Sequence, residues 1–511
     1  MDICFLNALK GRATYKALAN AIAEVIDEGR LLAGERLPSS REIALSLETS
    51  RTTVVRAFDE LIARGYLTAT KGSSTIVALK HSRQRIESFA PPEEDAASFN
   101  WKDRYSELAQ QVAALPASRE AQCGQDSERP ALPHDLSPCR ELRRAIISCM
   151  DRIDDFNLEE NSDAFGYIPL RKALCDYLRR SKGILCDPEQ IVLFSSAHRG
   201  LNHLAELLVN EGDTAIVENP GPVGAASRFK ERGAQVVAIA CGRGALDTRA
   251  LNTVPQHAQW LHVSPSGHEP SGVMLREDER RKLLAWAQAN HTAIIEEVCS
   301  DFNYGHIDAQ SLFSMDKTGS VIYASSLSHL LNPLLALGFL ILPARLVPLF
   351  KNSRRLFDRH LPVIEHQALA DLMNEGQFEK TLRIAWKALR KRRSALIFAL
   401  KKSFANKVDI LPSDSGTVIM ARFSPSWPLR DILQSAQAAD LSAWSTAQHY
   451  LSPPGTNEVF VDFAAFDEQS IEVRVERFFS ELAQTKALQY EGAREQLIGT
   501  SLIASTVDIA S

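Results

Sequence analysis

Between residues 134 and about 487 the chain alternates short apolar runs with longer segments of helical period. That alternation restricts it to one broad architecture, a mostly parallel sheet covered by helices on both faces. The apolar runs are IVLF (191–194), AIVE (215–218), VVAIA (236–240), WLHVS (260–264), AIIEE (293–297) and VIYAS (321–325), and helical segments such as 198–209, 276–289 and 370–400 lie between them. Runs this short and mostly apolar read as strands of a sheet covered on both faces. The whole chain has 511 residues, enough for two to four domains.

The alternation does not extend to the N-terminus. Residues 80–133 hold Pro91-Pro92, the acidic Glu93-Glu94-Asp95 and the run QCGQDSERPALP, which is linker composition, with one short amphipathic helix expected near Trp101–Val112. The expected division is therefore a small domain at 1–79, a linker at 80–133, the large domain at 134–487 and a tail at 488–511. The tail lacks periodicity and is expected to fray.

Within 1–79 the apolar positions follow a helical period. Tyr15, Leu18, Ile22, Val25 and Ile26 share one face of a first helix that ends near Gly29. Pro38 and Ser39 open a second helix, and Ser39-x-x-Glu42 has the spacing of a capping box. Ile43 and Leu47 supply its apolar side. After the turn Glu48-Thr49, Ser50 is a good N-cap for a third helix. Val54, Phe58, Leu61 and Ile62 give that helix an apolar face. Its other face starts with Arg51, Thr52 and Thr53 and carries Arg56. YLTATKGSSTIVAL then reads as a hairpin with Lys71-Gly72-Ser73-Ser74 at its tip. Taken singly, each helix also fits a small bundle with a solvated charged face. Two short helices, a tight turn, a basic helix start and a basic hairpin tip in that order point instead to a DNA reader. Recognition helices present their N-terminal residues to base edges in the major groove.

Charge does not support a nucleic-acid coat. The net charge is −5, and residues 1–80 carry eleven Lys/Arg against nine Asp/Glu, so DNA contact depends on placement rather than excess. Eight cysteines at 4, 123, 139, 149, 175, 186, 241 and 299 contain no Cys-x-x-Cys pair, which argues against a zinc ribbon or a dithiol redox motif. Scattered thiols fit a reducing compartment, and the opening MDICFLNALKGRATYK lacks a signal-peptide core; a cytoplasmic location is expected. Leu330 to Phe350 is the most apolar stretch, but Asn332, Pro333, Gly338, Pro343 and Arg345 interrupt it. A buried strand flanked by turns is expected there rather than a membrane span.

The segment AGERLPSSREIALSLETSRTTVVRAFDELIARGYLTATKGSSTIVA closely resembles the GntR-type winged helix-turn-helix over essentially the whole small domain. That resemblance implies DNA contact by Arg41, Arg51 and Arg56, joined by Thr52, Thr53 and the wing residue Lys71. A GntR-type reader, a linker and a large α/β domain resemble in turn the MocR-type regulators. Their large domain looks like a fold-type I aminotransferase and binds pyridoxal 5′-phosphate. LCDPEQIVLFSSAHRGLNHLAELLVNEGDTAIVENPG (185–221), HVSPSGHEPSGVMLREDERRKLLAWA (262–287) and ASSLSHLLNPLLALGFLILP (324–343) carry that likeness. The expected fold is thus a mainly α reader with a β wing, plus an α/β fold-type I aminotransferase-like domain.

Residue by residue, the resemblance stops at the cofactor. The family's Ser-x-Ser-Lys is Ser326-Leu327-Ser328-His329 here, and the arginine seven residues on is Ala336. Imidazole is not a primary amine and forms no Schiff base with the cofactor. The family's Asp-x-Tyr is Glu297-Val298-Cys299, its Pro-Gly-Tyr tyrosine is Pro222, another tyrosine aligns on Asn161, and the carboxylate-binding arginine aligns on Phe460. Lys317 and Lys351 are the nearest lysines and lie outside the motif. What remains is a polar pocket. Ser195, Ser196 and Ala197 stand at a helix start suited to an anion, with Ser326, Ser328, His329 and Glu297 beside them. The serines serve equally as helix and turn caps, and His329 as a packed histidine. The expectation is a dimeric regulator of double-stranded DNA without catalysis. No catalytic residue and no metal are assigned. Any pyridoxal phosphate would be noncovalent, and a small anionic or amino-acid-like effector is the candidate ligand. The alternatives are a regulator that keeps the cofactor and transaminase-like chemistry, and a purely structural large domain.

Overall fold

Two helix caps written in the sequence organise the reader. The computed structural model describes residues 10–11, 14–32, 34–64, 66–68, 75–78, 132–133, 135–155, 162–242, 246–255, 257–300, 302–304, 310–331, 335–357, 362–452 and 457–485. By contact density the chain divides into two units, Met1–Ser106 and Glu107–Ser511. The cut falls inside the stretch of linker composition.

In the first unit α1 is Tyr15–Asp27, α2 Ser40–Ser46 and α3 Arg51–Ala63. Ser39 and Glu42 cap α2 reciprocally: Glu42 N donates to Ser39 Oγ (3.3 Å), and Ser39 N donates to Glu42 Oε2 (2.8 Å). Ser50 Oγ accepts from Thr53 N at 3.1 Å and so starts α3. Between the two helices Glu48 adopts a positive φ of 49°, which lets the chain reverse in one residue pair. Leu18, Ile22, Val25, Ile26, Ile43, Leu47, Val54, Phe58 and Leu61 form one core with Leu67 and Val77. Ile62 departs from the expected face and is 37% exposed. The buried stripe is centred on Val54, Ala57, Phe58 and Leu61, and a residue eight positions after Val54 sits a further quarter turn away. β1 (Leu67–Thr68) and β2 (Ile76–Val77) pair antiparallel, Leu67 opposite Val77. The expected hairpin tip with Lys71 lies outside the described residues.

In the second unit the elements run α4 Cys139–Asp151, β3 Ser162–Asp163, β4 Gly166–Tyr167, α5 Ile168–Lys182, β5 Ile191–Phe194, α6 Ala197–Leu208, β6 Thr214–Asn219, α7 Ala225–Lys230, β7 Gln235–Ala240 and β8 Trp260–Val263. Next come α8 Glu277–Ala289, β9 Ala293–Val298, α9 Leu312–Met315, β10 Val321–Ser326, α10 Ser328–Leu331, β11 Gly338–Ile341, α11 Val347–Phe357 and α12 Val363–Asn374. The unit ends with α13 Gln377–Phe404, β12 Val408–Ile410, β13 Val418–Phe423, α14 Leu429–Ala438, β14 Ala443–Ser445, β15 Asn457–Asp462 and a helix α15 over 468–485. Every apolar run of the sequence became a strand of one seven-stranded sheet, in the order β5-β11-β10-β9-β8-β6-β7. Only β11 runs antiparallel to its neighbours.

One face of this sheet packs Ile295, Ile322, Trp260 and Val192 against Leu201, Leu204 and Phe229 of α6 and α7. The other packs Ile294, Leu261 and Ile216 against Leu283 and Ala287 of α8. Burial on both faces explains why the strands are continuously apolar rather than alternating. A second, antiparallel sheet β12-β13-β15-β14 is closed by α13, α14 and α15 around Phe404, whose ring centroid lies 5.3 Å from that of Phe423 and 5.1 Å from that of Phe478. The segment 370–400, read as one helical stretch, holds two helices. Gly376, at φ +69°, breaks it between α12 and α13, a turn that L side chains rarely adopt. Leu330 to Phe350 holds the buried strand β11 between turns and short helices. Among the described residues no helix is long and apolar enough to cross a membrane.

Candidate functional site

Each unit presents one surface with chemistry. In the reader, burial of Val54, Ala57, Phe58 and Leu61 turns the opposite side of α3 outward. Arg51, Thr52 and Arg56 are exposed there, and Arg41 is exposed on α2. Thr53 is half-buried, and its hydroxyl lies 2.8 Å from Ser50 Oγ, so it supports the cap as well as the helix start. Lys10 pairs with Glu48 at 2.9 Å, anchoring the turn between the helices. The free amides at the start of α3 and the guanidinium groups of Arg51 and Arg56 suit a phosphate and a base edge respectively.

In the large unit the parallel strands β5, β10, β9, β8 and β6 all end at one edge of the sheet, where ligands of open α/β sheets gather. Ser195 to Ala197 follow β5, Ser326 ends β10 with Leu327 to His329 after it, and Glu297 is the penultimate residue of β9. The register brings the first two groups near each other: Gly338 of β11 pairs with Phe194 on one side and Ser326 on the other. A Cβ on Gly338 would stand 2.1 Å from Ala197 N, so only glycine lets the start of α6 approach this closely.

The serines are largely occupied with local structure. Ser196 Oγ accepts from Arg199 N at 3.2 Å and caps α6. Ser326 Oγ donates to Leu337 O at 3.1 Å and accepts from Ser328 N at 3.2 Å. Ser328 Oγ accepts from Leu337 N at 3.0 Å. Ser195 is exposed. His329 is half-buried in α10, and its carbonyl accepts from Leu132 N at 3.3 Å. Phe460 stacks in the second sheet against Trp444 and His449, and Asn161 lies outside the described residues.

Three residues around Glu297 were not foreseen. His262, fully buried on β8, places Nε2 3.0 Å from Glu297 Oε2. Among the described residues neither ring nitrogen of His262 has a hydrogen-bond partner of good geometry. Arg228 of α7 is 4% exposed; its Nε donates to Asn202 Oδ1 at 2.9 Å, while Nη1 has no partner among the described residues. His198, in the first turn of α6, places Nε2 3.2 Å from Val223 O. Burial pushes the Glu297 carboxyl up, but the His262 contact and charge, with Arg228 and His198, outweigh it and hold the group at about 2. Burial lowers Arg228 while Glu297 and Glu231 oppose that shift. A signal for His262 existed: the two-residue period of β8 puts it on the Trp260 face, one strand away from Glu297. Nothing in the sequence marks Arg228, whose burial depends on how α7 folds back over α6.

Comparison with known proteins follows the same division. Residues 14–77 match the bacterial regulatory proteins of the gntR family, and residues 131–466 match aminotransferase class I and II. The chain belongs to the aminotransferase class I and II family and carries a gntR-family segment ahead of it. It is 26% identical over 463 residues to the probable rhizopine catabolism regulatory protein MocR of Rhizobium meliloti, covering 89% of this chain and 91% of that one. It is 28% identical over 401 residues to the regulator TauR of Rhodobacter capsulatus, covering 75% and 79% of the two chains. Among solved structures, the α-aminoadipate aminotransferase LysN of Thermus thermophilus matches with a TM-score of 0.66 and 20% identity, over 76% of this chain and all of that one. The last likeness establishes the fold alone: this chain has the aminotransferase architecture behind a gntR-family segment.

Proposed function

We propose that this MocR-type regulator binds double-stranded DNA as a homodimer and that its large domain senses a small anion noncovalently. The reading assigns residues 1–79 to the reader, 80–133 to the linker, 134–487 to the large domain and 488–511 to a tail, in a cytoplasmic protein. DNA contact falls to Arg41, Arg51, Thr52, Thr53 and Arg56, with Lys71 of the wing. The observation that carries it is the capped α3, whose exposed face opens with Arg51, Thr52 and Arg56. A symmetric dimer would set two such helices on paired half-sites. The test is binding of the full-length protein to its own upstream DNA as a function of salt. Each phosphate contact removed lowers the slope of log affinity against log salt by about one. Arg51→Ala and Arg56→Ala should weaken binding at least tenfold; unchanged affinity would remove α3 from the interface.

Pyridoxal phosphate is the cofactor that the fold implies, and the residues do not fit its covalent attachment. The family's lysine position carries His329, whose imidazole makes no Schiff base. Lys351 pairs with Glu189 at 3.1 Å, and Lys317 precedes β10, at the opposite edge of the sheet. On this reading the large domain has no transaminase chemistry, and the cofactor, if it enters, is held only by polar contacts. The buried Nη1 of Arg228, unpaired among the described residues, favours an anionic effector near Ser195, Ser196, Glu297, Ser326, Ser328 and His329. Calorimetry with pyridoxal phosphate, inorganic phosphate and amino acids checks this: Arg228→Met should abolish any heat that the unaltered protein gives.

A further inference from the structure

A different cluster lies further along the same sheet edge, and it owes nothing to the effector reading. Glu218 is the penultimate residue of β6, Cys241 directly follows β7, and His268 sits in the loop after β8. The parallel register of β6 and β7 sets Glu218 opposite Ile239, and Cys241 N donates to Asn219 O at 3.1 Å, so the thiol is fixed beside the carboxyl. One ligand atom from each of Glu218, Cys241 and His268 falls within 4.8 Å of the others. The imidazole Nε2 and Glu218 Oε2 are 3.9 Å apart.

Three observations give this cluster the character of a coordination site rather than a chance meeting. First, the groups are one thiol, one imidazole and one carboxyl, brought together from three separate segments. Second, the carboxyl and the imidazole are already oriented. Glu218 Oε2 accepts from Ser264 N at 2.9 Å and from Ser264 Oγ at 2.6 Å, and His268 Nδ1 lies 2.9 Å from Ser271 Oγ. A hydroxyl on the far nitrogen is the kind of partner that fixes a ligating histidine. Third, burial is graded: Glu218 and His268 are 5% and 1% exposed, whereas Cys241 is half-buried. Behind the carboxyl and the imidazole, Val263, Leu275 and Leu283 form an apolar backing.

We propose that Glu218, Cys241 and His268 bind a single zinc ion, with one coordination position open toward solvent. Sulfur and nitrogen donors select zinc over magnesium or calcium, which take oxygen ligands. Three protein ligands and one open position are within the range of known zinc geometries. Without a cation His268 Nε2 lies 3.0 Å from Pro220 O and can donate to it. Zinc binding transfers that proton to Nδ1, whose partner becomes Ser271 Oγ as acceptor, and it releases the thiol proton and the proton of the buried Glu218 carboxyl to solvent. No oxidation or reduction occurs. The ion would clamp the ends of β6 and β7 to the loop after β8.

The test uses the full chain, prepared metal-free and titrated with Co(II) as a spectroscopic stand-in for zinc. The expected result is one Co(II) per chain, with a near-ultraviolet sulfur-to-cobalt charge-transfer band that zinc displaces. Cys241→Ser should abolish the band, and Glu218→Gln and His268→Gln should each weaken binding at least tenfold. Cys241→Asp keeps a ligand in place and should retain the visible cobalt bands while losing the sulfur band, which covers the case of an unfolded serine variant. The competing soft site is the pair Cys175 and Cys186, whose sulfurs lie 3.5 Å apart. A band lost in Cys186→Ser but kept in Cys241→Ser would overturn the proposal, as would cobalt binding with no sulfur band or no binding at all.

Discussion

Glu297 is a buried carboxylate whose charge is sustained by its neighbours. Its folded value of about 2 lies below the ordinary 4.5, so its contribution to stability is complete above 4.5 and is lost as pH falls through 2. The difference corresponds to about 3 kcal/mol. Glu297→Gln should therefore lower the urea unfolding free energy at pH 7 by roughly that amount, and the gap from the unaltered protein should close between pH 4.5 and 2. An equal gap at both ends of that range would contradict the assignment of the charge to Glu297. This residue was legible in the sequence because it stands where its family places an acid. His262 was legible only as a residue on the right face of β8, and Arg228 was not legible, because its burial depends on two elements meeting in space. The serines show the opposite limit: the sequence identified Ser196, Ser326 and Ser328 by type, but whether a hydroxyl faces a ligand or its own turn is decided by local backbone geometry.

At the scale of elements, periodicity and caps carried most of the information. Ser39-x-x-Glu42 and Ser50 fix two helix starts because a side-chain oxygen and an unsatisfied amide three residues on are a local matter. The apolar runs became strands for the same reason. The helical stretch 370–400 was less legible, since Gly376 terminates a helix only when its conformation is left-handed, which composition alone does not fix. Gly338 shows how one residue sets the relation of elements. Because an added Cβ would lie 2.1 Å from backbone atoms of Ser196 and Ala197, Gly338→Ala should force β11 and α6 apart. A loss of about 3 kcal/mol or more is expected, read as a lowered unfolding midpoint. A midpoint unchanged within error would show that α6 does not approach β11 this closely.

For the whole molecule, the order of the two units was visible in composition and motif, while the boundary was not sharply so. The small unit keeps the capped α3 with Arg51, Thr52 and Arg56 exposed on it, the face to which DNA contact is assigned above. The large unit keeps the aminotransferase sheet and the glycine beneath the start of α6, yet has histidine at position 329. Those facts support separation of sensing from covalent chemistry, and they make one measurement decisive. Full-length protein that still binds its upstream DNA is mixed with pyridoxal phosphate, reduced with borohydride and analysed by intact mass and peptide mapping. The account predicts no stoichiometric phosphopyridoxyl adduct on the large unit and no absorbance band of a Schiff base before reduction. One adduct per chain, on a lysine at the sheet edge and lost when that lysine is replaced, would contradict it.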